Sequence, residues 1–133
     1  IIFASSNGEY TITANKTAIA SDGLLTFKGG IFTITTETGD AIKSDPEDTD
    51  TDSLGHIIIE DGTFNVHSYS DAFQATNKIM IKKGFFDIKT ENGYQSSTFN
   101  KENGSAKGFK VSNNVTGYQC RRFRTGHQGC AGG

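Results

Sequence analysis

Gly29-Gly-Ile-Phe-Thr-Ile-Thr-Thr-Glu-Thr-Gly-Asp-Ala-Ile-Lys-Ser-Asp45 is a unit that this chain writes four times. An earlier copy runs Gly8-Glu-Tyr-Thr-Ile-Thr-Ala14 and then Thr17-Ala-Ile-Ala-Ser-Asp22. Later copies run Gly62-Thr-Phe-Asn-Val-His-Ser68 into Asp71-Ala-Phe-Gln-Ala-Thr76, and Gly84-Phe-Phe-Asp-Ile-Lys-Thr90 into Lys107-Gly-Phe-Lys-Val-Ser112. Self-similarity at a fixed period is the mark of a repeat architecture, in which one unit cannot bury its apolar face alone. Ile19 and Ile42 stand 23 residues apart, and the acidic run from Pro46 to Ser53 lengthens only the step from Gly30 to Gly62.

Within each copy apolar residues alternate, so side chains two apart share a face, as on a strand. Lining up the copies gives rows that face inward. Tyr10, Phe32, Phe64 and Phe86 form the first, and Ile12, Ile34, Val66 and Ile88 the second. Between copies, Leu25, Ile57 and Ile79 align, as do Phe27, Ile59 and Ile81. A third strand brings Ile19, Ile42, Phe73 and Phe109 together, with Ser21, Ser44, Ala75 and Val111 beside them. Stacking such units at the strand spacing of about 4.8 Å makes each row a continuous apolar ladder. The expected fold is all-β, a right-handed parallel β-helix of about four to five coils with three short strands per coil. The alternative is a β-sandwich of hairpins. Asn-Gly hairpin signals occur at 7–8, 92–93 and 103–104 but not at every corner, and a sandwich gives no reason for the same side chain to return each period. Gly30, Gly62 and Gly84 recur at one corner, where a positive φ would exclude a Cβ.

Composition agrees with short strands and turns: 133 residues with sixteen Gly, one Pro and no Trp. The formal charge of −2 hides an asymmetry, since Arg121, Arg122 and Arg124 lie near the end while the preceding body is acidic. Such a body is a poor nucleic-acid binder, because phosphate contacts need clustered cations. No apolar run approaches the roughly 20 residues of a membrane-spanning helix. The division expected is a repeat domain over 1–115, reading as a partial solenoid or a fragment, and a non-repeat tail over 116–133 that carries Cys120 and Cys130. The two cysteines alone cannot build a tetrahedral metal site, and nothing in their spacing decides whether they pair.

Chemistry concentrates where the third strand begins. Thr17, Asp40, Asp71 and Lys107 align before it, and Asp22, Asp45, Thr76 and Ser112 after it. Asp40 and Asp71 on neighbouring coils would bring two carboxylates into near contact, which repel unless a proton or cation lies between them. Ca2+ suits such a place, as a hard ion that accepts mixed carboxylates, carbonyls and water. The expected ligands are Asp40, Asp45 and Asp71, with Asp48, Asp50 or Asp52 of the acidic run as auxiliaries. That run lacks the Gly and the flanking helices of an EF-hand, and taken alone it reads equally as a solvated charge run.

Gly39-Asp-Ala-Ile-Lys-Ser-Asp45, the strand at 29–36, Ser70-Asp-Ala-Phe-Gln-Ala75 and Ser105-Ala-Lys-Gly-Phe-Lys110 together resemble the bacterial carbohydrate-binding domain-containing β-helix proteins. The resemblance covers about residues 7–115. It implies a fold like that of polysaccharide lyases, calcium binding, and an association with acidic plant polysaccharide such as polygalacturonate. The expected location is extracellular or at the cell surface. The chain departs from that pattern in having fewer N-terminal coils, Thr76 where an Asp could stand, and its tail.

Three functional classes remain to be weighed. A uronate lyase needs a base beside a calcium-acidified proton, and lyases of this fold often use Arg, which 1–119 lack. Lys43 faces carboxylates rather than the cationic or apolar surroundings a lysine base requires. A binding module fits better: Lys43, Gln74 and Lys110 fall on one outward row of the third strand, and Tyr69 and Tyr94 near coil corners could stack on sugar rings. The third class is a structural or adhesive surface solenoid. Outward threonines of the first strand (Thr11, Thr13, Thr33, Thr35) give way to Asn65, His67, Asp87 and Lys89, so the flat lattice of an ice-binding face is not kept.

Overall fold

A computed structural model of the chain describes residues 1–47, 53–90 and 106–112 in full, together with the backbone of Arg124–Thr125 and Cys130–Ala131. The repeating units fold as strands in chain order: β1 (Ile2–Phe3), β2 (Glu9–Ala14), β3 (Ile19–Ser21), β4 (Leu24–Phe27), β5 (Ile31–Thr36), β6 (Ile42–Ser44) and β7 (His56–Ile59). They continue as β8 (Thr63–Ser68), β9 (Phe73–Ala75), β10 (Lys78–Ile81), β11 (Phe85–Thr90), β12 (Phe109–Val111), β13 (Arg124–Thr125) and β14 (Cys130–Ala131). From β1 to β12 every third strand joins the same sheet. Sheet A runs β1-β4-β7-β10, sheet B β2-β5-β8-β11-β13, and sheet C β3-β6-β9-β12-β14. All described strand pairs are parallel. This is a parallel β-helix with three strands per coil, as the repeat predicts, and not a sandwich of antiparallel hairpins. Two short segments of the expected tail, β13 and β14, lie parallel on the last full coil.

The register reproduces the predicted rows. Tyr10 pairs with Phe32, Phe32 with Phe64, and Phe64 with Phe86; Ile19, Ile42, Phe73 and Phe109 align on sheet C. Alternation drives this, because a one-residue slip would turn each buried row out to water. Phe32, Phe64, Phe73 and Phe109 are fully buried. Their rings form stacked columns: Phe32–Phe64 at 5.0 Å and Phe64–Phe86 at 5.2 Å, each within 7° of parallel, and Phe73–Phe109 at 4.7 Å. Edge-to-face contacts lock the columns together, with Phe64 meeting Phe27 at 5.3 Å and Phe73 at 5.4 Å. Such pairs add about 0.5–1.5 kcal/mol each beyond area burial.

Two devices turn the chain at the ends of sheet B. At its start, Gly62 has φ 138°, and a Cβ there would sit 2.9 Å from Cε2 of Phe64. The Gly-x-Phe spacing thus lets the ring fold back beneath the corner. At its end, a buried hydroxyl donates to a carbonyl around the bend: Thr36 to Gly39 at 2.7 Å, Ser68 to Ser70 at 2.9 Å, and Thr90 to Ala106 at 3.2 Å. The bend thereby gives these carbonyls a side-chain donor, and it sets the next residues on sheet C.

Candidate functional site

Strands β3, β6, β9 and β12 of sheet C are three residues long, so only the middle side chain of each points outward. Lys43, Gln74 and Lys110 consequently stack in one row across β6, β9 and β12. Each strand is entered through a corner residue, Asp40, Asp71 or Lys107. The interstrand ladder uses the N–H that follows, with Ala41 donating to the Asp71 carbonyl at 3.0 Å and Ala72 to that of Lys107 at 2.9 Å. The corner N–H groups need another acceptor, and the preceding coil supplies it. Asp71 N–H donates to Asp40 Oδ1 at 2.9 Å, and Lys107 N–H to Asp71 Oδ1 at 2.8 Å. The stacked carboxylates are thus a ladder that caps the next coil. Sequence reading found the stack through the repeated Asp-Ala but missed this capping role, which depends on the path of the bend.

In both residues it is Oδ1 that accepts the corner N–H. Asp71 Oδ2 lies 3.8 Å from Lys110 Nζ, with the Asp71 side chain almost wholly buried. Burial pushes the Asp40 carboxyl above the ordinary aspartate range and the neighbouring Asp71 charge adds to the rise; the Asp71 N–H, Lys43 and Lys110 oppose it without cancelling it. The corner therefore holds two neighbouring carboxylates in a partly dry place, with Lys43 and Lys110 close by.

Asp45 sits at the opposite end of β6 from Asp40. It accepts a hydrogen bond from Thr76 Oγ1 at 2.9 Å and pairs with Lys43 Nζ at 3.0 Å. Partial burial would raise its carboxyl, but the hydrogen bonds from Lys43 and Thr76, with the charges of Lys43 and Lys110, hold it below the ordinary range. Thr76, which stands where a further Asp could have been, is thus a donor to Asp45 and not a gap. The structure brings Asp40 and Asp71 together and gives Asp45 other company. Asp48, Asp50, Asp52 and Tyr94 lie outside the described residues. Among the described residues, no three His, Cys, Asp or Glu side chains gather as a metal cluster.

Gln74, in the middle of the row, is 7% exposed. Its Nε2 donates to Ser112 Oγ at 3.0 Å, while Oε1 is buried without a hydrogen-bond donor. A buried acceptor left unmade costs about 1–3 kcal/mol, so this oxygen is an open valence beside two lysines. Tyr69 lies at the same corner, two residues before Asp71. The residue is 37% exposed, and its N–H donates to Thr36 Oγ1 at 3.3 Å.

The donor chemistry at Asp40 and Asp71 fits a hard cation. The two side chains offer oxygen donors and sit close enough for each charge to act on the other. Asp40 and Asp71 would hold Ca2+ through those oxygens, with Lys110 displaced from Asp71. Two carboxylate oxygens fall short of the six to eight that Ca2+ takes, so water or further side chains would complete the set.

Among the described residues, no helix is long and apolar enough to cross a membrane. The family model described as "Carbohydrate-binding domain-containing protein" matches residues 3–119. No curated protein and no solved structure matches the chain. On the extent of that match, which takes in every complete coil and the whole of the corner, the chain belongs to the carbohydrate-binding domain-containing protein family.

Proposed function

We propose that this chain is a non-catalytic module that binds acidic polysaccharide of the polygalacturonate type, with Ca2+ as a bridging ion, at the cell surface or outside the cell. The observation that carries the proposal is the row Lys43–Gln74–Lys110, with the buried, donor-less Gln74 Oε1 at its centre, beside the Asp40/Asp71 corner. A uronate chain offers carboxylates to the two ammonium groups and hydroxyl donors to the amide. Family membership supports carbohydrate as the ligand class.

Residues act as follows. Lys43 and Lys110 exchange Asp45 and Asp71 for ligand carboxylates. Gln74 reads a hydroxyl once the lysine stems move aside. Tyr69 offers an exposed ring at the rim, where an apolar sugar face can rest. Asp40 and Asp71 hold the ion, which when bound supplies positive charge between protein and uronate carboxylates. Ligand binding and ion binding then support each other, because Ca2+ draws Asp71 from Lys110 and leaves that lysine to the polymer.

Native electrophoresis through gels with and without polygalacturonate, run in millimolar calcium and again in chelator, tests this. The expected result is retardation by the polymer that chelator abolishes. Equal mobility in all gels removes the proposal and favours the structural or adhesive solenoid, in which calcium changes only stability. Release of an unsaturated, ultraviolet-absorbing product from the polymer would instead establish a lyase.

A further inference from the structure

Sheet B presents an outer face that the sheet C site does not use. Its strands β5, β8 and β11 are six residues long and alternate strictly, so three rows of side chains stand outward in register. Ile31, Thr63 and Phe85 form one; Thr33, Asn65 and Asp87 the next; Thr35, His67 and Lys89 the third. Large apolar residues are uncommon on such a face. Here Phe85 is 56% exposed and Ile31 43% exposed, both in the same row. Their strands are separated by β8, which places the two apolar side chains roughly 9.6 Å apart across two coil steps. The polar row begins two residues further along each strand, roughly 7 Å away. The face ends at the bend that carries Tyr69, so it is continuous with the corner of the proposed site.

We infer that this face is a second carbohydrate-binding surface, taking a neutral, extended β-linked glycan laid across the coils. The inference rests on the reading that the chain binds polysaccharide, and adds a different surface and a different ligand class. A pyranose ring has one apolar C–H face and a rim of hydroxyls. An exposed phenyl ring receives the first, and a parallel line of Thr, Asn and Asp groups at ring width receives the second. In an extended β-1,4-linked chain every second ring turns the same face, a step on the order of two coil heights, so Phe85 and Ile31 meet equivalent rings. Charge selects the neutral class. Asp87 and Lys89 bring one charge of each sign to β11, exposed Glu9 stands beside Ile31 in the apolar row and disfavours an anionic chain, and the lysine pair that would draw uronates lies on sheet C. Burying an exposed phenyl ring against a sugar is worth roughly as much as partial burial of any aromatic side chain, which suits weak, multivalent retention along a polymer.

The test is native electrophoresis through gels holding hydroxyethylcellulose or β-1,4-xylan, in chelator, with polygalacturonate in calcium run in parallel. Wild-type protein is expected to be retarded by at least one neutral polymer. Phe85→Ala and Ile31→Ala should weaken that retardation at least fivefold, Phe85→Tyr should restore it, and Asn65→Ala should weaken it with the aromatic intact. Because both apolar side chains are exposed, thermal melts of these variants should match the wild type. Lys43→Gln should leave the neutral-polymer result unchanged and reduce polygalacturonate retardation. An unretarded wild type, or alanine variants that run like it, would overturn the inference. Loss of polygalacturonate binding alone would instead remove the sheet C reading and leave this one standing.

Discussion

Replacing Asp40 by Asn probes the corner without breaking its hydrogen bond. The Asn Oδ1 still accepts the Asp71 N–H that Asp40 Oδ1 accepts at 2.9 Å. What disappears is one of two carboxylates stacked about 4.8 Å apart. At an effective dielectric of about 20 their repulsion is about 3 kcal/mol. Lys110, at 3.8 Å from Asp71 Oδ2, and Lys43 offset much of it, and exchanging a charged acceptor for a neutral one returns some more. A net gain on the order of 1 kcal/mol remains for Asp40→Asn in chelator, or roughly 3–5 °C in melting temperature for a chain of this size. Calcium should reverse the order: the wild type gains about 2.7 kcal/mol at a hundredfold excess over its dissociation constant, and the variant gains little. The pH dependence follows from the same group. Folded protein holds the Asp40 proton more tightly than the unfolded chain does, so this contribution to stability is fully present below the ordinary value of 3.8 and is lost as pH rises through the raised folded value. Asp40→Asn removes that decline. Differential scanning calorimetry between pH 4 and 7, in chelator and in calcium, measures all three effects. A variant that melts several degrees lower in chelator and keeps the full calcium response would refute the reasoning, because Asp40 would then be a stabilising cap with no part in ion binding.

Other consequences concern packing and the far end of β6. Gly62→Ala forces a Cβ to 2.9 Å from Phe64 at φ 138°, and should cost about 1–3 kcal/mol by urea denaturation. Phe64→Ala removes a fully buried ring that stacks on Phe32 and Phe86; a loss of about 3–5 kcal/mol is expected, where an unchanged midpoint would deny the column its role. Thr76→Val deletes the donor to Asp45 Oδ1, so the Asp45 carboxyl should titrate at higher pH by carbon-13 NMR, with no change at Asp40.

Much of this arrangement was legible because a parallel coil returns the same side chain to the same place. Phe32, Phe64 and Phe86 announce their row by spacing alone, and Lys43, Gln74 and Lys110 follow once the row beside them is placed. Where the reading fell short, the cause was local backbone path. Asp45 looks like a companion of Asp40 in sequence, yet β6 runs between them and Asp45 engages Lys43 and Thr76. The capping of corner N–H groups by Asp40 and Asp71 could not be seen either, since it follows from where the interstrand ladder skips a residue. Nor did the sequence mark Gln74 as buried, since an outward glutamine between two lysines reads as solvated. Tail residues after Val115 show no inward row, and two-residue strands such as β13 and β14 are too short for any periodicity to register.

The central claim is that the Lys43–Gln74–Lys110 row receives the carboxylates of an acidic polysaccharide. Isothermal titration of oligogalacturonate into the wild type and into the Lys43→Gln/Lys110→Gln double variant, both in calcium and with matched melts, tests it most directly. Affinity about tenfold weaker in the double variant, equivalent to about 1.4 kcal/mol, with a reduced salt dependence, is the predicted result. Equal affinity and equal salt dependence in the two proteins would contradict the claim.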